Sequence, residues 1–226
     1  EDYIRGLTRR GKSAATVTRS VASIKSFYNC LLSRGLVESN PARNVTAAKV
    51  ERKLPQILTS REVELFLAQP EPTDAKGCRD RAMLELLYAT GIRVSEVRYI
   101  TVEAARSGQA DIALKGKVRT ILLPGKLCRK LLKYARKQKI ASGEIFLTRN
   151  EKGISRRQIW AEMKALCDKA GVAPSKVFPH NLRHLFAKCF YEQEKDLAHL
   201  ADLLGHSSIE TTRIYVAVSA RAHEQI

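Results

Sequence analysis

The sequence predicts a mainly α-helical protein with a small β element, divided into a small helical domain and a larger mixed α/β domain. Apolar residues recur at steps of three and four through most of the chain, and helix-capping signals precede several of these stretches. One short region instead shows two β-prone segments around a glycine-containing turn. With 226 residues, 44% hydrophobic and 28% charged, the chain can form one or two globular cores, which excludes a disordered tail.

A charged stretch that ends in proline, residues 49–55, predicts the boundary between the two domains. Before it, five apolar residues share one face of a helix, and the Asn40-Pro41 pair ends the pattern. These residues are Val17, Val21, Ile24, Tyr28 and Leu31. Because a helix pair of this size buries little apolar surface, we expect the first domain, residues 1–50, to be truncated at its N-terminus. The second domain is predicted to span residues 55–226.

The first half of the larger domain contains two helix signals and one hairpin signal. Thr59 and Glu62 have the T-x-x-E spacing of a capping box, which predicts a helix after them. A second helix is predicted at about residues 78–90, and Gly91 ends it. Residues 111–123 predict a β-hairpin, because two β-prone segments flank the turn K-G-K.

The second half is predicted to be helical throughout. Residues 126–139 have the apolar spacing of an amphipathic helix, and Ser155 with Gln158 caps another helix. Ser207 and Glu210 have the spacing to cap the last helix. Three shorter helical segments are predicted near residues 181–194, 196–204 and 208–215.

The charge balance indicates a polyanionic partner. Forty Lys and Arg residues against 23 Asp and Glu give a formal net charge of +17. Nucleic acid fits this charge, since bound phosphates release counterions, whereas no helix is both basic and apolar enough to favour a membrane surface. Between Asp111 and Glu144 the chain has ten bases and no acid, which favours phosphate contact over a solvated face. The bases are Lys115, Lys117, Arg119, Lys126, Arg129, Lys130, Lys133, Arg136, Lys137 and Lys139.

The cysteines and the apolar runs exclude other classes of protein. Five cysteines lie 22 to 50 residues apart without a C-x-x-C pair, which argues against a zinc site and a disulfide framework. They are expected to be small buried side chains in a reducing cytoplasm. No apolar run approaches the roughly 18 residues that cross a bilayer.

Four short segments carry residue types suited to phosphate chemistry. The segment ATGIRVSEV places Arg93 just after a helix-ending glycine, with Glu96 three residues on. The segment PHNLRHLFA places His180 and Arg183 three apart at the start of a helix, where both project from one face beside backbone N–H groups. The other two segments are the lysine hairpin LKGKVR and the stretch LLGHSSIETTRIYV.

In this order along the chain, the four segments resemble the motifs of the tyrosine recombinases, the phage-integrase and Xer family of site-specific DNA recombinases. The resemblance covers nearly the whole chain. It implies a helical core-binding domain of the SAM-like type followed by a mixed α/β catalytic domain. It also implies strand cleavage and rejoining through a 3′-phosphotyrosyl intermediate, with no cofactor and no metal. The implied partners are double-stranded DNA recombination or attachment sites and further copies of the chain in a DNA-bound tetramer.

The resemblance further implies six catalytic residues. They are Arg93, Lys115, His180, Arg183, His206 and the nucleophile Tyr215. The two arginines are expected to hold the phosphate oxygens, His206 to add a hydrogen bond, and His180 to accept or relay the phenol proton. Lys115 is expected to protonate the leaving 5′ oxygen. Glu96 matches a family acid that orients the first arginine.

Three alternatives stay open. The family turn commonly reads G-K-G-x-K-x-R, whereas here Leu114 precedes Lys115 and the loop is shorter, so Lys117 is an alternative general acid. A type IB topoisomerase shares the nucleophile and the phosphate clamp but relaxes supercoils as a monomer. A catalytically silent DNA-binding protein on the same fold is the third alternative, and the presence of all six residue types argues against it.

Overall fold

The chain forms two compact units, Glu1–Leu54 and Pro55–Ile226. The computed structural model describes residues 2–46, 58–114, 117–206, 208–213 and 216, with the backbone alone at residues 114 and 117. The predicted boundary at residues 49–55 lies outside the described residues. None of the helices described here combines the length and the apolar content that crossing a membrane requires.

Residues 2–46 of the first unit form two helices, α1 at Asp2–Arg9 and α2 at Ala14–Ser33. The Ser13 side chain accepts a hydrogen bond from a backbone N–H three residues on and so caps the start of α2. Val17 and Val21 are buried, as the helical spacing of the sequence predicts.

The second unit is mainly helical in its described part. Its α-helices are α3 (Ser60–Ala68), α4 (Ala75–Thr90), α5 (Val102–Ser107), α6 (Gly125–Lys137), α7 (Arg156–Ala170), α8 (Pro179–Glu194) and α9 (Leu197–Leu204). Two short 3-10 helices lie at Val94–Tyr99 and Pro174–Lys176. A further helical segment follows at residues 209–213.

Most helix boundaries agree with the capping signals in the sequence. The capping boxes predicted at the starts of α3 and α7 are both present. Helix α4 begins three residues earlier than predicted, because the Asp74 side chain accepts a 2.6 Å hydrogen bond from the backbone N–H of Gly77. The cap predicted at Ser207 lies outside the described residues. Helix α5 was not predicted, since six residues are too few to show a helical period.

The predicted hairpin is present as two antiparallel strands, β1 at Gln109–Leu114 and β2 at Lys117–Leu122. In their register Leu114 pairs with Lys117, so Lys115 and Gly116 connect the strands and lie outside the described residues. The strands alternate as expected for one buried face. Ile112 and Ile121 point into the core, whereas Val118 is 70% exposed.

Helix α4 is the centre of the second unit. It packs against α3, α6 and α8, and it is apolar on several sides for that reason. Leu84, Leu86 and Leu87 of α4 are buried in one core with Leu131 of α6 and Leu182 of α8. This packing fixes the C-terminal end of α4, from which the next functional segment begins.

Candidate active site

One cavity of about 760 Å³ brings together four of the six predicted catalytic residues. They are Arg93, His180, Arg183 and His206. These residues come from the segment after α4, the start of α8 and the turn after α9. Lys115 and Tyr215 lie outside the described residues. Within the described part of the chain, no group of three or more His, Cys, Asp or Glu side chains is placed to hold a metal ion.

Arg93 follows the left-handed glycine that ends α4. Gly91 has a φ of +57°, and a Cβ there would collide with the Phe186 ring of α8, so this turn requires glycine. The Arg93 side chain is 40% exposed. Its Nη1 lies 3.1 Å from Oε1 of Glu96, and its Nη2 donates to the carbonyl oxygen of Gly205 at 3.2 Å. Two fixed acceptors therefore hold a guanidinium that still borders the cavity.

Arg183 lines the same cavity but is only 1% exposed. Its Nη1 donates to the carbonyl oxygen of Gly91 at 2.6 Å, and its Nη2 donates to that of Leu204 at 2.5 Å. The backbone carbonyls fix the plane of the guanidinium, because its N–H donors form a rigid fork. Arg183 is thus a preorganised cation in the wall of the cavity.

Three arginines share the C-terminal end of α9. The carbonyl oxygens of residues 203, 204 and 205 accept hydrogen bonds from Arg119, Arg183 and Arg93, in that order. The last carbonyls of a helix have no partner within the helix and carry the negative end of its dipole, so they attract cations. The end of α9 therefore orients all three guanidiniums around the turn that carries His206.

Glu96 is a fully buried carboxylate that joins two of these arginines. Its Oε2 accepts from Nη2 of Arg119 at 2.5 Å and from the backbone N–H of Arg93 at 2.7 Å. From the sequence, Arg119 was expected only to contact phosphates, as one of the ten bases between Asp111 and Glu144. The alternation of β2 contains the missing signal, because Ile121, two residues on, points into the core.

His206 lies between Arg183 and Thr212. Its Nε2 is 3.2 Å from Nη2 of Arg183, and its Nδ1 is 2.7 Å from the hydroxyl of Thr212. Arginine can only donate, so Nε2 is the acceptor and Nδ1 carries the proton that Thr212 accepts. Burial, followed by the charges of Arg183 and Arg93, lowers the pKa of His206 to about 4. The contact between Thr212 and His206 was not predicted from the sequence.

The described residues that line the cavity include four arginines and no acid. Burial and then the charges of Arg183 and Arg93 lower the pKa of His180. Burial also lowers the pKa of His184 to about 4, with smaller effects from His180 and Arg183. The two rings pack edge to face at 5.0 Å. Neutral imidazoles beside guanidiniums can accept a proton, and the cavity favours an anionic ligand.

Aromatic and cationic side chains of α7 and its surroundings line another part of this cavity. Arg156 and Arg157 begin α7, and Trp160 is 46% exposed one turn further on. The Nζ atom of Lys164 lies 3.7 Å from the centre of the Phe178 ring and 5.5 Å from that of Trp160. These contacts are cation–π interactions. Positive charge next to flat apolar rings is typical of a surface that binds nucleic acid.

The basic helix α6 lines a different cavity, of about 440 Å³. Lys130, Lys133 and Lys137 border it together with Arg81 of α4. Nζ of Lys130 forms a 2.7 Å ion pair with Glu85. The two cavities share no lining residue, so phosphate contact by α6 stays a prediction that is separate from the arginine site.

Comparison with known proteins identifies the class of protein to which this fold belongs, the tyrosine recombinases. Residues 56–221 match the model of the phage integrase family. Tyrosine recombinase XerC of Roseiflexus castenholzii is 36% identical over 226 aligned residues, which cover 94% of this chain and 71% of that protein. Tyrosine recombinase XerD of Xanthomonas axonopodis pv. citri is 34% identical, covering 99% and 78%. The chain therefore belongs to the phage integrase family.

Solved structures show the same fold. A XerH site-specific recombinase bound to palindromic difH substrate, in a post-cleavage complex, has a TM-score of 0.79 and 20% identity, and the match covers 99% of this chain and 69% of that one. A lambda integrase dimer bound to a COC′ core site has a TM-score of 0.74 and 18% identity, covering 95% and 77%. The predicted family, the mainly helical fold with a small β element and the assignment to site-specific tyrosine recombination are confirmed.

Proposed function

We propose that this recombinase cleaves DNA with Tyr215 as the nucleophile and rejoins the strands through a 3′-phosphotyrosyl intermediate. The observation that carries the proposal is the convergence of Arg93, Arg183 and His206 on one cavity, together with His180. Each of these residues stands in a motif that occurs in the order of the family.

The described residues before Tyr215 support its role. Thr211 lines the cavity, and Thr212 is fully buried with its hydroxyl against His206. Residues 209–213 are helical. The chain therefore reaches the arginine site at Thr212, three positions before the proposed nucleophile.

The arginines meet the main demand of the reaction. A phosphodiester is anionic, and further charge develops on its oxygens as the nucleophile attacks. Arg93 and Arg183 hold the two non-bridging oxygens, because a permanently charged planar guanidinium binds phosphate with several donors. Their attachment to backbone carbonyls means that little reorganisation is needed at the transition state.

The histidines handle protons. A tyrosine phenol has a reference pKa near 10, so it needs a base at neutral pH. His180 has a lowered pKa and is neutral there, which lets it accept the phenol proton. His206 accepts a hydrogen bond from Arg183, so it donates to the phosphate only after gaining a proton. A bound phosphate raises the pKa of His206 by offsetting the arginine charges, and this favours that protonation.

The lysine hairpin supplies the remaining proton. The 5′ oxygen of the sugar is a poor leaving group unless it is protonated as the bond breaks. Lys115 is the proposed general acid, and Lys117 is the alternative. Removal of the true acid is compensated by a substrate in which sulfur replaces the bridging 5′ oxygen, since a thiolate leaves without a proton. Lys115→Ala should be rescued in this way, and rescue of Lys117→Ala alone would reverse the assignment.

The proposed partners are two double-stranded DNA sites and further copies of the chain. The phosphotyrosyl bond conserves the energy of the phosphodiester, so a second 5′ hydroxyl can attack it and rejoin the strand. A related fold, lambda integrase, has been solved as a tetramer bound to a Holliday junction, with a TM-score of 0.72. We propose a tetramer on DNA for this chain as well. Its DNA substrate places the reaction in the cytoplasm.

The test uses a DNA site nicked close to the cleavage position, so that a short fragment diffuses away after cleavage and religation is prevented. The expected product is a denaturation-resistant protein–DNA adduct joined to the 3′ phosphate, with a free 5′ hydroxyl on the released fragment. On intact DNA, two sites should exchange strands. Relaxation of supercoiled DNA by a monomer without exchange would indicate a type IB topoisomerase instead.

A further inference from the structure

The proposed mechanism leaves Arg119 of β2 without a role, although its side chain is only 18% exposed and is built into the site. We propose that Arg119 is a positioning residue that fixes the lysine hairpin against Arg93 and Arg183, which together form the arginine clamp. This position lets the general acid reach the leaving oxygen. This inference rests on the proposed function.

The side-chain contacts of Arg119 lie outside the cavity that would hold the phosphate. Nη2 forms a 2.5 Å ion pair with Glu96, and Nη1 donates to the carbonyl oxygen of Leu203 at 3.0 Å. Arg119 does not line the cavity that Arg93 and Arg183 border. Both Nη atoms of Arg119 are therefore bonded within the protein, as those of Arg183 are, and its Nε has no hydrogen-bond partner among the described residues. What separates Arg119 from Arg93 and Arg183 is its position outside the cavity.

The stem of Arg119 packs closely against Gly205. A Cβ at Gly205 would lie 2.5 Å from Cδ and 2.6 Å from Nη1 of Arg119. The carbonyl of the same glycine accepts the hydrogen bond from Arg93. Arg119 thus touches both elements that orient Arg93, the Glu96 carboxylate and the turn after α9. A change in the position of β2 is transmitted to the clamp through these two contacts.

The same side chain anchors β2 near the turn that carries the lysines. Arg119 is the third residue of β2, so Lys117 and Lys115 stand two and four positions away toward the tip. A two-stranded hairpin is marginal on its own, and its exposed outer face, with Val118 and Thr120, offers little packing. The ion pair of Arg119 with Glu96 is a strong tether within a few residues of the general acid. Its loss should displace the lysine more than it displaces the clamp.

The alternative is that Arg119 only neutralises the buried Glu96 and supports Arg93. The two roles differ in their dependence on the leaving group. Loss of hairpin positioning removes protonation of the 5′ oxygen, whereas loss of Arg93 support weakens stabilisation of the non-bridging oxygens. With a 5′-bridging sulfur substrate, protonation of the leaving group is unnecessary, but the non-bridging oxygens still need stabilisation.

The experiment compares single-turnover cleavage of the oxygen and sulfur substrates by the full chain. Arg119→Gln should slow cleavage of the oxygen substrate on the order of 10²-fold, as expected for a displaced catalytic group. The sulfur substrate should restore the rate of Arg119→Gln to within about threefold of wild type. The reason is that a general acid, which contributes about 10²-fold or more, is no longer needed. Lys115→Ala should be rescued in the same way. Arg183→Ala should stay slow on both substrates. An Arg119→Gln defect that is equally large with sulfur would overturn the inference.

Two controls separate this effect from misfolding and from failure of the proposed function. Arg119→Lys keeps a charge near Glu96 but cannot reach Glu96 and the Leu203 carbonyl together, and it should show the same rescue at lower risk to folding. Thr120→Val alters the outer face of β2, where the hydroxyl bonds Asp111 at 2.6 Å, and should leave the rates unchanged. Adduct formation by the wild-type chain reports the proposed function independently of either variant.

Discussion

Arg93 donates a hydrogen bond from Nη2 to the carbonyl oxygen of Gly205 over 3.2 Å, which joins positions 112 residues apart in the sequence. The bond connects the turn after α4 to the turn after α9, directly before His206. Because the carbonyl belongs to a helix end, the protein itself sets the direction of the guanidinium. Such preorganised donors are the main source of electrostatic stabilisation in enzymes.

The clamp predicts the effect of removing either arginine. Arg93→Ala or Arg183→Ala should slow cleavage by on the order of 10³-fold or more, the scale found for arginines that stabilise phosphoryl-transfer charge. Lysine at either position should be a poor substitute, because it lacks the planar fork. Single-turnover cleavage measures the rate, and a gel shift checks that DNA binding persists. Near-full rates with lysine at both positions would show that the two-oxygen clamp is wrong.

Gly205 should be more sensitive to substitution than another helix-ending glycine. Gly205 and Gly171 both have left-handed backbones, with φ values of +60° and +62°. Alanine at either should cost about 1–2 kcal/mol of unfolding free energy for that conformation. Only at Gly205 does the added Cβ collide, with Arg119, whereas nothing lies within 4 Å at Gly171.

Gly205→Ala should therefore lose more stability than Gly171→Ala and should also lose cleavage activity, while Gly171→Ala keeps it. Urea unfolding and single-turnover cleavage of the two variants give the comparison. Equal losses in both assays would mean that the close approach of Arg119 to Gly205 has no functional importance.

Stability should fall as the pH drops below the ordinary range of histidine. The pKa values of His184 and His206 are about 4 in the folded chain, against about 6.5 when unfolded, because burial and nearby cations disfavour the charged rings. Between these values the unfolded chain binds more protons, so the stabilisation is complete above about pH 6.5 and is lost toward pH 4. Each histidine adds a slope of up to about 1.4 kcal/mol per pH unit.

Urea unfolding between pH 7 and pH 5 measures this slope while ordinary carboxylates stay charged. His184→Gln should remove about one proton from the uptake on unfolding, and the exposed surface pair Arg213 and Glu210 offers a neutral comparison through Arg213→Gln. A flat profile in the wild-type chain would contradict the assignment of buried neutral histidines.

The basic face of α6 is predicted to contact the DNA backbone. Lys133 lines the second cavity, and neutralising one true phosphate contact should lower the log–log salt slope of binding by about 0.9. Lys133→Gln should show this change without altering sequence preference. Lys130→Gln is a matched control, because Lys130 already forms an ion pair with Glu85 and is less available to a phosphate. It should change the salt slope of binding less than Lys133→Gln does. An unchanged affinity and slope for Lys133→Gln would mean that α6 only keeps the protein soluble.

Much of the fold could be predicted because its signals are local. The caps at Thr59 and Ser155 and the glycine at position 91 set helix ends through contacts within a few residues. Two β-prone segments around a glycine-containing turn predicted the hairpin as well. Helix α5 was missed because a six-residue helix with a Thr101 cap shows too little of a period.

The site could be predicted only as far as its motifs extend. The spacing of Arg93 and Glu96 is that of a surface helix pair, yet Glu96 is fully buried. The reason is tertiary, since Arg119 and the end of α9 cover the carboxylate from positions far along the chain. Such long-range contacts leave no periodic signal in one sequence. Thr212 is only six residues from His206, but side chains six apart do not face each other on a helix, so their contact was not predicted either.

The identity of the nucleophile tests the central claim most directly. Trapping on a nicked DNA site, followed by denaturing electrophoresis, compares Tyr215→Phe with Tyr191→Phe, which changes another of the seven tyrosines, on helix α8. Tyr215→Phe should bind DNA and form no covalent adduct, whereas Tyr191→Phe should form the adduct as the wild type does. In that adduct the DNA should be attached to the peptide that contains residue 215. An undiminished adduct from Tyr215→Phe would contradict the account.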